Sequence, residues 1–159
     1  MKTAILALVS ITFLLNGCAS APTDEEASPR LVGSTSINGQ RFPYGDGSGP
    51  YLKLTREAPS KDYGYSQDHP IKVAAAEGQS GPGKERLFLS ALLSPDGRPV
   101  QFERVGSCCA FQTPNSEFGA GLLDIYEITW DGQDQPVSLY FNMYDAGELY
   151  IPKGFKARP

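Results

Sequence analysis

Leu122-Leu-Asp-Ile-Tyr-Glu-Ile-Thr-Trp130, then Asp131-Gly-Gln-Asp-Gln-Pro136, then Val137-Ser-Leu-Tyr-Phe-Asn-Met-Tyr144, is the stretch that decides the fold. The first run is rich in β-branched and aromatic residues and alternates with a period of two, as a strand does. Leu122, Tyr126, Ile128 and Trp130 fall on one face, and Leu123 and Ile125 on the other. A strand apolar on both faces is expected to be central and covered on both sides. The hexapeptide with Gly132 and Pro136 is a hairpin loop. Beyond it Val137, Leu139, Phe141 and Met143 point inward, with Ser138, Tyr140, Asn142 and Tyr144 opposite. Strands joined by so short a loop pair antiparallel.

Working outward, Val100 to Val105 reads as a strand running into Gly106-Ser-Cys-Cys-Ala-Phe111. A loop of Thr113-Pro-Asn-Ser116 and Gly119-Ala-Gly121 separates it from the central run. Tyr51 to Thr55 alternates with Leu52 and Leu54 inward, and Ile71 to Ala75 does so with Ile71, Val73 and Ala75 on one face. Leu149-Tyr-Ile151 is expected to add a short edge strand. Between the halves, Lys84 to Leu93 carries Leu87, Phe88, Ala91 and Leu92 on one helical stripe, widened by Leu89 and Leu93. Ser94-Pro-Asp-Gly97 stops that helix, because proline cannot continue it and glycine accepts a turn conformation. The fold expected is therefore α+β: a twisted, mainly antiparallel sheet of about five strands with one helix packed on it. The flexible Glu77 to Gly83 segment ahead of Lys84 is not a phosphate loop. It lacks the G-x-x-x-x-G-K-[ST] spacing, and Glu85 stands where the hydroxyl belongs.

That domain occupies residues 51–159; what precedes it is of a different character. Lys2 is followed by an apolar run from Ala4 to Leu15, broken only by Ser10 and Thr12. The length suits a secretory h-region of about 7–15 residues and falls short of the roughly 20 needed to span a bilayer. The run ends in Leu15-Asn-Gly-Cys18, which closely resembles a bacterial lipobox. The resemblance implies that residues 1–17 are a removable signal peptide, and that Cys18 becomes the N-terminus and carries diacylglycerol on its sulfur. In the sorting pattern of such proteins an Asp after the cysteine favours the inner membrane. Ala19 therefore implies the outer membrane, with the protein facing the periplasm. Residues 18–50 are read as the lipidated end and a disordered tether. Ala19 to Pro29 is small, acidic and Pro-containing, and buries too little apolar surface to order itself. Ile37-Asn-Gly-Gln40 carries a hairpin turn signal, and Gly45 to Pro50 is a loop.

Without its first 17 residues the 159-residue chain keeps 142, enough for one domain and a tail. Losing Lys2 leaves 13 basic against 18 acidic residues. A net charge near −5 argues against a nucleic-acid partner, which calls for a basic face. It argues equally against electrostatic adhesion to anionic lipid, so membrane attachment rests on the acyl chains at Cys18.

Cys108 and Cys109 stand side by side, which leaves three readings open. The first is a vicinal disulfide, whose Cα atoms are held about 3.8 Å apart by one peptide unit. That lies under the usual 4.4–6.8 Å and makes the bond more reducible, hence a redox or ligand-sensing element. Alternatively, two thiols point to opposite faces of the sheet and at least one is buried and inert. The third reading is a soft-metal site assisted by His69 and Met143. His69, the only histidine, neighbours Tyr63, Tyr65 and Asp68 in a polar loop over Ala58 to Pro70. With Tyr140 and Tyr144 these residues form a candidate ligand pocket, and a Cys–His pair could support thiol catalysis if folding joined them. The bland reading of His69 is a loop histidine ahead of Pro70, and of the tyrosines a covering for the second sheet face.

Gly64-Tyr-Ser66 with Pro70-Ile-Lys-Val73, Arg104-Val-Gly-Ser-Cys-Cys-Ala-Phe111, Thr113-Pro-Asn115 and Leu139-Tyr-Phe-Asn-Met-Tyr-Asp145 together resemble a family of small bacterial envelope proteins. The resemblance covers roughly residues 60–155 and implies neither an activity nor a catalytic residue. Some relatives bear the name 2-dehydro-3-deoxyphosphooctonate aldolase. That enzyme is a TIM barrel, which needs about 200–250 residues, more than a 142-residue mature chain has. The function expected is that of a non-catalytic, lipid-anchored envelope component binding a small ligand or an envelope protein, with no cofactor and no metal. The alternative is a thiol-dependent or redox enzyme using Cys108 and Cys109.

Overall fold

The computed structural model describes residues 50–76 and 81–159 and, of residues 31–32, the backbone alone. The signal peptide, Cys18, the tether up to Gly49, the Asn38-Gly39 turn and the start of the Glu77 to Gly83 segment lie outside the described residues. In chain order the elements are β1 (Leu31–Val32), β2 (Tyr51–Leu52), β3 (Ile71–Lys72), α1 (Gly81–Ser90) and β4 (Leu92–Leu93). They continue with β5 (Gln101–Gln112), β6 (Ala120–Thr129), β7 (Val137–Asn142) and β8 (Lys156–Ala157). A four-stranded sheet runs β3-β7-β6-β5, and β1-β2 and β4-β8 form two-stranded ribbons. The fold is α+β, with the one helix of the described residues packed on a mainly antiparallel sheet.

Alternation explains the core. Tyr126 and Ile128 of β6 and Leu139 and Phe141 of β7 turn to the helix side and are buried, as is Phe102 of β5. From α1 come Leu87, Phe88 and Leu89. The rings meet edge to face in a column: Phe88 on Phe141 at 5.6 Å, Phe141 on Tyr126 at 5.4 Å, Tyr126 on Phe102 at 6.3 Å. Each such pair contributes about 0.5–1.5 kcal/mol beyond the area it buries. The column therefore ties α1 to three successive strands. β6 is central, as its two apolar faces required, flanked by β5 and β7.

Several expectations are corrected. Leu122 does not share the core with Tyr126 and Ile128 but is 47% exposed. The helix side of β6 is covered at Tyr126, where Glu85 of α1 bonds it, and Leu122 lies four residues, about 13 Å, further along the strand. The helix begins at Gly81 and ends at Ser90 rather than running from Lys84 to Leu93. Pro82 suits the first turn, where its missing N–H would have had no partner. At the other end the Ala91 amide bonds back to the Phe88 carbonyl at 3.0 Å, after which Leu92–Leu93 pairs with β8. Ala75 is exposed and Ala76 buried instead, because the Ala76 amide closes a turn on the Val73 carbonyl and ends the alternation. β3, whose pairing direction the sequence left open, lies parallel to β7. The edge strand expected at Leu149 to Ile151 forms later, at Lys156–Ala157, while Ile151 makes only a single bridge to Glu57.

Candidate functional site at the disulfide edge of the sheet

β5 is the longest strand and an edge of the four-stranded sheet. Edges with unpaired backbone groups are commonly blunted by bulges, and β5 has two. Val105 is an extra residue between the pairs Arg104↔Tyr126 and Gly106↔Ile125. Further on, Cys109 and Ala110 together oppose Leu122, between Cys108↔Leu123 and Phe111↔Gly121. Cys108 and Cys109 are disulfide-bonded across a Cα separation of 3.7 Å. Successive side chains of a regular strand point to opposite faces, so adjacent sulfurs meet only where the strand departs from alternation. It does so here: Cys109 has φ of +60°, the one positive value at a non-glycine among the described residues. Of the three readings of the pair, the disulfide is the one found. Both cysteines are half-buried.

The bulge at Val105 shifts the phase of β5, so that Arg104 and Ser107 both reach the helix side beside Asp124. Arg104 grips Asp124 with two bonds, Nε to Oδ2 and Nη2 to Oδ1, each 2.8 Å, and Ser107 Oγ donates to Oδ1 at 2.9 Å. Burial pushes the Asp124 carboxyl up, but the bonds from Arg104 and Ser107 outweigh it and hold the group below the usual carboxylate range. Behind Asp124 lies Glu85, with no exposed surface. Its Oε2 accepts from the Tyr126 hydroxyl at 3.1 Å, while Oε1 receives no donor. Burial first, and the Asp124 charge second, push the Glu85 carboxyl up to about 8. Asp124 is held low and Glu85 raised, so of the two carboxyls Glu85 is the one that keeps its proton as pH rises.

At the same end of the sheet, Asn142 closes β7 with an Asx turn, its Oδ1 accepting from the Tyr144 and Asp145 amides at 2.9 and 3.0 Å. Asp145 accepts from Thr113 Oγ1 at 2.6 Å, Asn115 Nδ2 at 2.9 Å and Asn142 Nδ2 at 3.0 Å. The Thr113 bond leads in holding the Asp145 carboxyl below its ordinary range. These bonds pin the 113–119 loop to the end of β7. Beside them the Phe111 and Tyr144 rings meet edge to face at 6.0 Å over Gly121. A Cβ at residue 121 would stand 2.6 Å from the Tyr144 ring, so only glycine fits.

Comparison with protein-family models, curated proteins and solved structures gave no match to this chain. Its chemistry is argued from its own residues.

The residues expected to form one pocket serve different contacts. Tyr63 donates to the Glu148 carbonyl at 3.3 Å and accepts the Tyr150 amide at 3.2 Å. Tyr65 donates to the Lys153 carbonyl, and burial pushes its hydroxyl up to about 12. Both tyrosines thus fasten the 58–70 loop to the C-terminal segment. Tyr140 lies on the far side of β7 from the core, paired with Ile125, and Tyr144 belongs with Phe111. His69 is exposed, its Nδ1 3.2 Å from Ser66 Oγ. It precedes β3, at the edge opposite β5, so three strand spacings, about 14 Å of sheet, separate it from the cysteines. His69 and the disulfide are not brought together. Among the described residues no group of three His, Cys, Asp or Glu side chains is placed to hold a metal ion.

Glu85, Arg104, Ser107 and Asp124 escaped the sequence reading as a group. Two of them carried a signal: Asp124 occupies an inward position between Leu122 and Tyr126, and Glu85 stands three residues before Phe88 on the helix stripe. An acid on an apolar face calls for a partner: Asp124 finds Arg104 and Ser107, and Glu85 the Tyr126 hydroxyl.

Proposed function

We propose that the protein is an exported bacterial lipoprotein, anchored in the outer membrane through acylated Cys18, whose α+β domain is a non-catalytic binding component of the envelope. The observation that carries this reading is the Leu15-Asn-Gly-Cys18 box closing an h-region-length apolar run. The Cys108–Cys109 disulfide supports it, since such bonds persist outside the reducing cytoplasm. Binding is favoured over catalysis by the occupation of polar side chains. The Tyr63 and Tyr65 hydroxyls, the Arg104–Asp124 pair and Asp145 are all engaged in holding segments together. Exposed Phe118 and Leu122, at 87% and 47%, sit on and beside the pinned 113–119 loop and offer apolar contact to a ligand or envelope protein. The second reading, a redox enzyme, draws on the half-buried disulfide alone.

Membrane fractionation of cells expressing the natural chain and Cys18→Ala tests the anchor. The natural protein is expected in the outer-membrane fraction and the variant outside it, released or still carrying its signal peptide. A Cys18→Ala protein that stays in the outer membrane removes the basis of this reading.

A further inference from the structure

The disulfide, the left-handed Cys109 and the second bulge of β5 coincide, and each depends on the others. In a regular ladder Cys109 would oppose Leu122 and its sulfur would leave the face of Cys108. Only the ring keeps the two sulfurs together, and with it the extra residue at Cys109 and Ala110. From these placements we propose that the Cys108–Cys109 disulfide is a redox latch that sets the register of β5 against β6 and thereby the 113–119 loop. The proposal rests on the sheet and not on the anchor.

The reductant is a dithiol, such as a disulfide-exchange protein of the same compartment presents. One donor thiolate attacks Sγ of one cysteine, the Cys108–Cys109 bond breaks, and a mixed disulfide forms. The second donor thiolate resolves it. Two electrons and two protons pass to the pair, which becomes two thiols, and the donor leaves as a disulfide. Cys109 is then free to return to extended backbone, where a residue with a Cβ is at ease. The ladder closes as Cys109↔Leu122, Ala110↔Gly121 and Phe111↔Ala120, and Gln112 passes into the loop. A one-residue slip turns side chains to the other face. Phe111 leaves the Tyr144 ring, and Thr113 is drawn from Asp145. The loop bearing Phe118 is pinned in the oxidised form and released in the reduced one.

The test is NMR of the oxidised chain, the chain reduced with dithiothreitol, and two double variants. Cys108→Ser with Cys109→Ser removes the bond and keeps a Cβ at residue 109. Cys108→Ser with Cys109→Gly removes the bond but permits positive φ without penalty. Reduced protein and the Ser/Ser variant are expected to lose the Phe111–Tyr144 ring contact and to exchange the Thr113 amide at least about tenfold faster. The Ser/Gly variant lacks the ring as well, and glycine permits positive φ without enforcing it, so it should lose both too. The proposal is overturned if the reduced chain or either variant keeps the contact and the slow amide, or if the folded protein resists the dithiol. Should the Ser/Ser variant not fold, the reduced natural chain decides.

Discussion

Glu85 holds a proton that an exposed glutamate would have lost. Its ordinary value is 4.5, and in the fold it is raised to about 8. Between those values the folded chain binds more protons than the unfolded one, so this group's contribution is greatest below 4.5, declines as pH rises to about 8, and is flat beyond. Asp124 works in the opposite sense, with a lowered value whose contribution is lost only as pH falls through the acid range. From pH 6 to 9, Glu85 alone should cost the folded state roughly 2–3 kcal/mol. Glu85→Gln keeps an acceptor for the Tyr126 hydroxyl and cannot ionise, so its urea midpoint should change less over that range. Parallel pH profiles for the two proteins would show that Glu85 is not the proton holder.

At the scale of elements, the helix depends on its ring column and the sheet end on its glycine. Phe88→Ala removes the ring that α1 sets on Phe141 and should cost about 3–5 kcal/mol in chemical denaturation. Gly121→Ala drives a methyl into the Tyr144 ring and should cost about 1–3 kcal/mol. It should also disturb the Phe111–Tyr144 contact while leaving the core column intact. A fully tolerated Gly121→Ala would mean that this ring pair is loose. β6, β7 and the helix stripe were legible because period and composition agreed over long runs. β4 and β8 have two residues each, too few for a period to show, and the pairing of β3, though its alternation showed, depends on a segment distant in sequence. Both bulges of β5 were hidden for a related reason. Only pairing with β6 makes Val105 and Cys109 extra residues, and Asp124 becomes a partner for Arg104 only once that phase has shifted. Of the pocket grouped from Tyr63, Tyr65, His69, Tyr140 and Tyr144, the fold brings Tyr140 to the Tyr63–Tyr65 loop, its amide bonding the Gly64 carbonyl at 2.8 Å, while Tyr144 packs on Phe111.

For the whole molecule, the anchor proposed at Cys18 stands at one end of the chain and an oxidised sheet edge in the domain. Among the described residues no helix is long and apolar enough to cross a membrane. The most direct measurement is the intact mass of protein extracted from membranes with detergent, alkylated once without reductant and once after reduction. The account predicts a chain beginning at Cys18 with acyl groups added, no alkyl group before reduction and two after it. An unacylated chain would contradict the anchor, and two alkyl groups taken up without reductant would contradict the closed Cys108–Cys109 bond.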